Sequence, residues 1–203
     1  IPGPNKDLDS REIKLLNDYL RKNGKLLILL NPDPSESWKQ LLSEWRIDVP
    51  AGTLIDPASH VAPNLDHPLV PRNQNRFGFT EVYFAGAAGL IPQKGLPESV
   101  KIQPLAWTSR KSWIEKDFTS GEEPQFDKLK DQQGPFAIGA MINKGGTSIV
   151  VFGDSDFITD KHFYNGNNSD LFLSVINRLA ASSEVISVDR KVLPARRLLL
   201  SPE

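Results

Sequence analysis

Val150-Val151-Phe152-Gly153-Asp154-Ser155-Asp156-Phe157 joins a continuous apolar run to a glycine followed by two acids. Residues 148–152 have the length and composition of a strand buried on both faces, and Gly153 ends it. Open α/β sheets bind their ligands in the crevice beyond the carboxyl ends of such strands. The octapeptide therefore bears on the architecture and also on where a site would lie.

Downstream, residues 169–181 form an amphipathic helical pattern with Leu171, Phe172, Val175, Ile176 and Leu179 facing inward. Upstream, residues 136–142 read as a strand that reaches residues 148–152 through a Lys144-Gly145-Gly146 turn. The first sixty residues alternate in the same way. Asp9 and Glu12 form a capping box for a helix whose apolar face holds Ile13, Leu16, Tyr19 and Leu20. Gly24 stands where a left-handed terminator is wanted. Residues 25–30 are a second continuous apolar run. In Asn31-Pro32-Asp33-Pro34, Asp33 is placed to cap a second helix with Pro34 at its first position, and Trp38, Leu41, Leu42 and Trp45 give its stripe. A short strand is expected over 52–55.

Between about 56 and 133 the pattern loosens. Strands are expected over 81–85 and 100–107, and 117–133 reads as a polar, mobile excursion. The tail from Ser183 carries Arg190, Lys191, Arg196 and Arg197 among aliphatics, with one or two edge strands expected. Buried runs alternating with helices predict one α/β domain over 1–203, with its core in 1–55 and 134–182. Its sheet is expected to be mostly parallel and flanked by helices, with an irregular middle region.

A chain of 203 residues, 39% hydrophobic and 24% charged, is able to bury roughly 70% of its unfolded surface without a disulfide or a metal. The formal net charge of -1 lacks the basic excess of nucleic-acid or anionic-membrane binders, and neither partner is expected. The absence of Cys removes disulfides, thiolate metal sites and a cysteine nucleophile together. No apolar run approaches the ~20 residues that span a bilayer. Ile1-Pro2-Gly3-Pro4 is turn-like and lacks an initiator Met, which reads as a piece cut from a longer protein.

Asp154, Asp156 and Asn167 are the residues best placed to form a metal or polyol site. The competing reading is turn chemistry, because Asp, Ser, Asn and Gly satisfy backbone groups in strand-to-helix connections, and it is the stronger of the two. Oxygen ligands would suit Mg²⁺ or Ca²⁺, but no twelve-residue calcium loop is present. His60, His67 and His162 lack zinc spacing. Ser155 lacks the second glycine of a nucleophile elbow, and Gly86-Ala87-Ala88-Gly89 is too short for a phosphate loop. Trp38 and Trp45 belong to a core stripe. Trp107 and Trp113 flank a polar run, where Trp113 is a candidate platform for a sugar ring or a partner surface, against the commoner outcome of inward packing. No catalytic set and no cofactor site emerge, so a non-enzymatic role is expected.

Several segments fall in an order and spacing that resembles a known family. They are Ile1-Pro2-Gly3-Pro4, Leu8 to Glu12, Tyr19-Leu20 with Gly24-Lys25-Leu26-Leu27, and Leu30-Asn31-Pro32. His67-Pro68, Leu105 to Thr108-Ser109 with Ser112-Trp113, and Gly134-Pro135-Phe136 follow. Val151 to Phe157 and Asn167 to Leu173 with Asn177 complete the set. The family is the auxiliary component of ABC-type transport systems related to the gliding-motility transporter; Asn31 departs from its usual Asp. The resemblance implies a flavodoxin-like, class I glutamine-amidotransferase-like domain on the extracytoplasmic side of a membrane. It would be tethered by transmembrane helices outside this chain, and the basic tail would approach the second of them. The implied partners are ABC permease and ATPase subunits; a small molecule or sugar is a candidate ligand on the reading of the crevice residues themselves. The implied role is accessory or ligand-sensing. The alternative expectation is a carbohydrate- or metal-binding module using the crevice after Phe152.

Overall fold

In the computed structural model, which describes residues 1–119 and 123–181, the first helix starts where its capping residues require. Helix α1 (Ser10–Arg21) is entered through Asp9, whose carboxylate accepts the N–H groups of Arg11 and Glu12, each at 2.8 Å. Glu12 returns the bond by accepting Asp9 N–H at 2.9 Å, which satisfies two otherwise orphaned donors. Leu20 is fully buried and Leu16 packs beside it, whereas Tyr19 stays half exposed and ties its hydroxyl to both backbone groups of Lys25. The left-handed residue after the helix is Asn23, at φ 63°, and not Gly24 as expected. Gly24 is needed for a different reason: a Cβ there would lie 2.6 Å from the Tyr19 ring and carbonyl.

Strand β1 (Lys25–Leu29) leads to α2 (Glu36–Glu44). This helix starts later than the sequence suggests, with Ser35 as its N-cap, while Asp33 turns left-handed at φ 50° and pairs with Lys39 at 2.8 Å. Trp38, Leu41, Leu42 and Trp45 are all buried, as their spacing requires. Next come β2 (Ile47–Asp48), β3 (Thr53–Ile55), β4 (His60–Val61), β5 (Asn64–Pro71) and β6 (Glu81–Tyr83). Then β7 (Ile91–Pro92), β8 (Val100–Trp107), β9 (Trp113–Glu115) and β10 (Gln132–Gln133) follow. The described residues end with β11 (Ala137–Lys144), β12 (Thr147–Phe152) and α3 (Asn168–Ala180). The edge strands expected after Ser183 lie outside the described residues.

The central sheet has the order β1-β12-β11-β8, and its pairing corrects the expected mostly parallel, flavodoxin-like architecture. Only β1 and β12 run parallel, from Lys25 opposite Ser148 to Leu29 opposite Phe152, with a parallel bridge from Pro2 to Leu29. β11 is antiparallel to β12 and to β8. The reason is local. Gly145-Gly146 is a two-residue connection between paired Lys144 and Thr147, with Gly145 at φ 59°. Such a loop closes a hairpin, whereas a parallel crossover needs a dozen or more residues. The remaining sheets, β10-β9-β3, β4-β5-β6 and β2-β7, are small and antiparallel. Three α-helices are present among the described residues; the middle region carries β4 to β10, with β6 and β8 where strands were expected, and 116–119 and 123–131 hold no strand.

Two cores lie on opposite faces of the central sheet. Ile149 and Val151 of β12 join Leu20 of α1 and Trp38, Leu41 and Leu42 of α2. Val150 and Phe152 face the other way, with Leu171, Val175 and Leu179 of α3 and with Leu54, Val70, Val82 and Ile114 from the smaller sheets. Period-two alternation of this kind is what a strand covered on both faces imposes. Each such side chain, fully buried, contributes roughly 1.5–3 kcal/mol. In β11 the parity changes at Gly139, where the register shifts and a Cβ would meet the Phe152 ring at 2.3 Å.

Candidate functional site

The crevice beyond β1 and β12, the candidate position for a ligand, is crossed by the protein's own backbone. Gly153 donates to Ile138 O at 2.8 Å and accepts from Ala88 N–H at 2.8 Å, so the segment after β6 crosses directly over it. A Cβ on Gly153 would sit 2.0 Å from Ala88 O. On the other side, Ser155 donates to Asn31 Oδ1 at 2.6 Å, and Gly3 is packed against the same hydroxyl.

Asp154 is 1% exposed. Its Oδ2 accepts Ala85 N–H at 2.8 Å and its Oδ1 accepts Asp156 N–H at 2.6 Å. Burial pushes its carboxyl up to about 7, against the pull of those backbone donors, and the neighbouring Asp156 adds to the rise. Asp156 is exposed and opens a 3-10 turn, Asp156–Ile158, with its carbonyl accepting from Thr159. Asn167 is bonded to Glu81 through its backbone N–H at 3.0 Å, accepts Glu81 N–H on Oδ1 at 3.4 Å, and donates to Asp170 at 3.1 Å.

Asn168, which the sequence did not single out, is fully buried and completes the arrangement. It accepts Tyr83 N–H at 2.9 Å and donates to the carbonyls of Phe157 and His162 at 3.3 and 3.0 Å. The N–H groups of Glu81, Tyr83 and Ala85 thus end on the side chains of Asn167, Asn168 and Asp154 in turn. β6 is the terminal strand of its sheet, and alternate donors along its outer edge would otherwise lack partners. The polar residues after β12 fasten that edge to the central sheet. This is the turn-and-backbone reading, extended to long range.

Beside this seam lies a cluster that chain spacing concealed. Tyr83 hydroxyl and His67 Nδ1 are 3.0 Å apart, and the His162 ring lies 5.0 Å from the Tyr83 ring, centroid to centroid. Burial raises the Tyr83 phenol, with Asp154, Asp66 and Asp156 adding to the effect. Burial also lowers the His162 imidazole, with Lys161 next in importance. His60 stands apart, its Nδ1 3.2 Å from Asp56 O. Among the described residues no group of three or more His, Asp or Glu side chains could hold a metal ion. Nor is any described helix long and apolar enough to cross a membrane.

The tryptophans separate. Trp113 is 6% exposed, packs on Phe126 at 5.8 Å and donates to Glu115 at 3.1 Å, so it is no exposed platform and lies in a sheet apart from Asp154. Trp107 is half-buried and lines an open groove.

No protein-family model matches this sequence, and no curated protein does. A solved structure does: the mmIFT52 N-terminal domain, with a TM-score of 0.64 and 18% sequence identity over 92% of this chain and 77% of that one. This likeness replaces the expected membership among ABC-type auxiliary components with the fold of a domain from an intraflagellar transport protein. The inferences that hung on that membership fall with it: permease and ATPase partners and a sensing role in transport; the small-molecule or sugar ligand, read from the crevice residues, gains no support from this likeness. The weak, scattered motifs that carried the resemblance sit largely at caps, turns and strand ends. Backbone geometry demands those residue types in many unrelated chains. What this chain is similar to, in three dimensions and across nearly its whole length, is the mmIFT52 N-terminal domain.

Proposed function

We propose that this chain is a non-catalytic binding domain of a multi-subunit assembly of the intraflagellar transport kind. The observation that carries the proposal is the fold likeness to the mmIFT52 N-terminal domain across 92% of the chain. The disposition of the polar side chains supports it. Asp154, Asn167 and Asn168 are engaged with backbone donors, and the crevice above the strand ends is occupied by residues of the same chain. A fold that uses its best-placed polar groups for internal fastening is suited to presenting surfaces to other proteins.

The test is gentle affinity isolation of the tagged full-length protein from its native cells, followed by mass spectrometry. Several intraflagellar transport subunits in comparable amounts are the expected companions. A protein that emerges alone, or with subunits of an unrelated machine, overturns the assignment.

A further inference from the structure

The central sheet ends at β8, and the outer side of that strand is only partly covered. Among the described residues its outer neighbours are Asn75, through one bridge to Ala106, and Arg76, whose N–H donates to Leu105 O at 2.7 Å. Beside this edge opens a groove of about 510 Å³, lined by Trp107, Pro104, Leu90, Pro92, Phe136 and Arg76 among others. Its walls are largely apolar, the general character of a recognition pocket with a few placed polar groups.

Arg76 is the single charged residue lining the groove among the described residues. Its backbone is pinned to β8, its side chain is exposed, and no described carboxylate pairs with it. A second guanidinium stands at the margin, because Arg178 of α3 donates to Gln103, another lining residue, at 3.0 Å. Folding has therefore placed a positive charge, unpaired among the described residues, in a groove with a half-buried indole and three prolines. Arg and Trp are the residue types that most often carry binding energy when a partner covers them. In a groove whose other polar side chains are the neutral Gln103, Gln132 and Gln133, a guanidinium that no described carboxylate pairs favours a carboxylate.

We infer that this groove docks an extended segment of a partner protein in which a large apolar side chain lies next to an Asp or Glu. The apolar side chain packs on Trp107 and Pro104, and the carboxylate meets Arg76. The inference deepens the binding role proposed above and rests on it for its biological setting.

The experiment is an array of fluorescent ten-residue peptides, each with one central Leu or Phe flanked by two Asp, two Asn or two Lys, titrated against the 203-residue chain. The Asp series is expected to bind at least tenfold more tightly than the Lys series. Arg76→Glu, a change at an exposed position, is expected to abolish that preference and reverse it in favour of Lys. Trp107→Ala is expected to weaken all three series together. Equal binding of the three series, a preference unchanged in Arg76→Glu, or no binding by any peptide each overturns the inference. Thermal melts of both variants establish that they are folded.

The outcome is separable from that of the assembly proposal. Partners recovered equally by wild-type and Arg76→Glu full-length protein remove the groove and leave the assembly. Peptide binding that follows the charge reversal, with no assembly recovered from cells, does the opposite.

Discussion

Asp154 Oδ2 accepts the backbone N–H of Ala85 at 2.8 Å across 69 positions of the chain, and with that bond the terminal strand of a small sheet is fastened to the centre of the fold. The carboxyl is buried, so its protonation is coupled to folding.

The first consequence is a pH dependence. Asp154 has a folded pKa raised from the ordinary 3.8 to about 7, so its neutral form is favoured in the folded state. Its contribution to stability is fully present below pH ~4 and is lost as pH rises through 7, an effect of about 4 kcal/mol at most. His162 acts in the opposite sense, since a lowered imidazole pKa disfavours the folded state on the acid side, so the comparison must isolate Asp154. Urea unfolding of wild type and Asp154→Asn from pH 4 to 8 does so. The wild-type advantage is expected to shrink steadily across that range, and parallel profiles refute the assignment.

Gly153 gives a steric prediction. Its Cβ would lie 2.0 Å from a backbone oxygen that cannot move without displacing the segment after β6. Gly153→Ala is expected to destabilise by about 3 kcal/mol or more, at the severe end for a single substitution. Gly145→Asn, at a left-handed position with nothing within 4 Å, is expected to stay within about 1 kcal/mol of wild type. Calorimetric melting of the pair separates crowding from backbone strain.

Asn168 makes three hydrogen bonds from a fully buried position. Asn168→Ala takes this partner from the Tyr83 N–H and the Phe157 carbonyl, while the His162 carbonyl keeps Asn165 N–H at 3.0 Å, and a loss of about 3 kcal/mol is expected. An ionised Asn168→Asp keeps the acceptor for Tyr83 N–H but has nothing to donate to the Phe157 and His162 carbonyls. It is expected to be at least as damaging at neutral pH. Hydrogen exchange at the Tyr83 amide reads the effect directly: rapid exchange in Asn168→Ala is expected, and unchanged protection contradicts the fastening role.

The two middle tryptophans differ in the same measurable way. Trp113→Ala removes a 6% exposed ring from the small sheet and is expected to lose about 3–5 kcal/mol. Trp107→Ala takes away a half-buried groove residue and is expected to lose clearly less. Equal losses in denaturant titrations would place Trp107 in the core and remove it from the groove surface.

Much of the local structure was legible in advance. The Asp9–Glu12 box and the Trp38-Leu41-Leu42-Trp45 stripe are found where spacing puts them; of the five residues expected inward on α3, Leu171, Val175 and Leu179 are buried, Phe172 is partly buried and Ile176 is 39% exposed. The Lys144-Gly145-Gly146 turn was visible too, and the residues between the two expected strands are too few for a parallel crossover. The inference of a mostly parallel sheet gave too little weight to that turn and too much to the buried runs. A run buried on both faces reports its burial, not the direction of its neighbours. The site was legible as a set of turn-forming residues and no further. Nothing in Asp154, Asn167 and Asn168 announces that Ala85, Glu81 and Tyr83 are their partners.

The division follows the range of the forces. Caps, helical stripes and hairpin turns arise from residues a few positions apart, so their geometry is written in short stretches of the chain. Sheet order, the closing of the crevice over Gly153 and the proximity of His67 to Tyr83 and His162 depend on segments far apart in sequence. Those segments meet only when both faces of the central sheet are covered, and only then does a buried polar group find the donor that makes its burial tolerable.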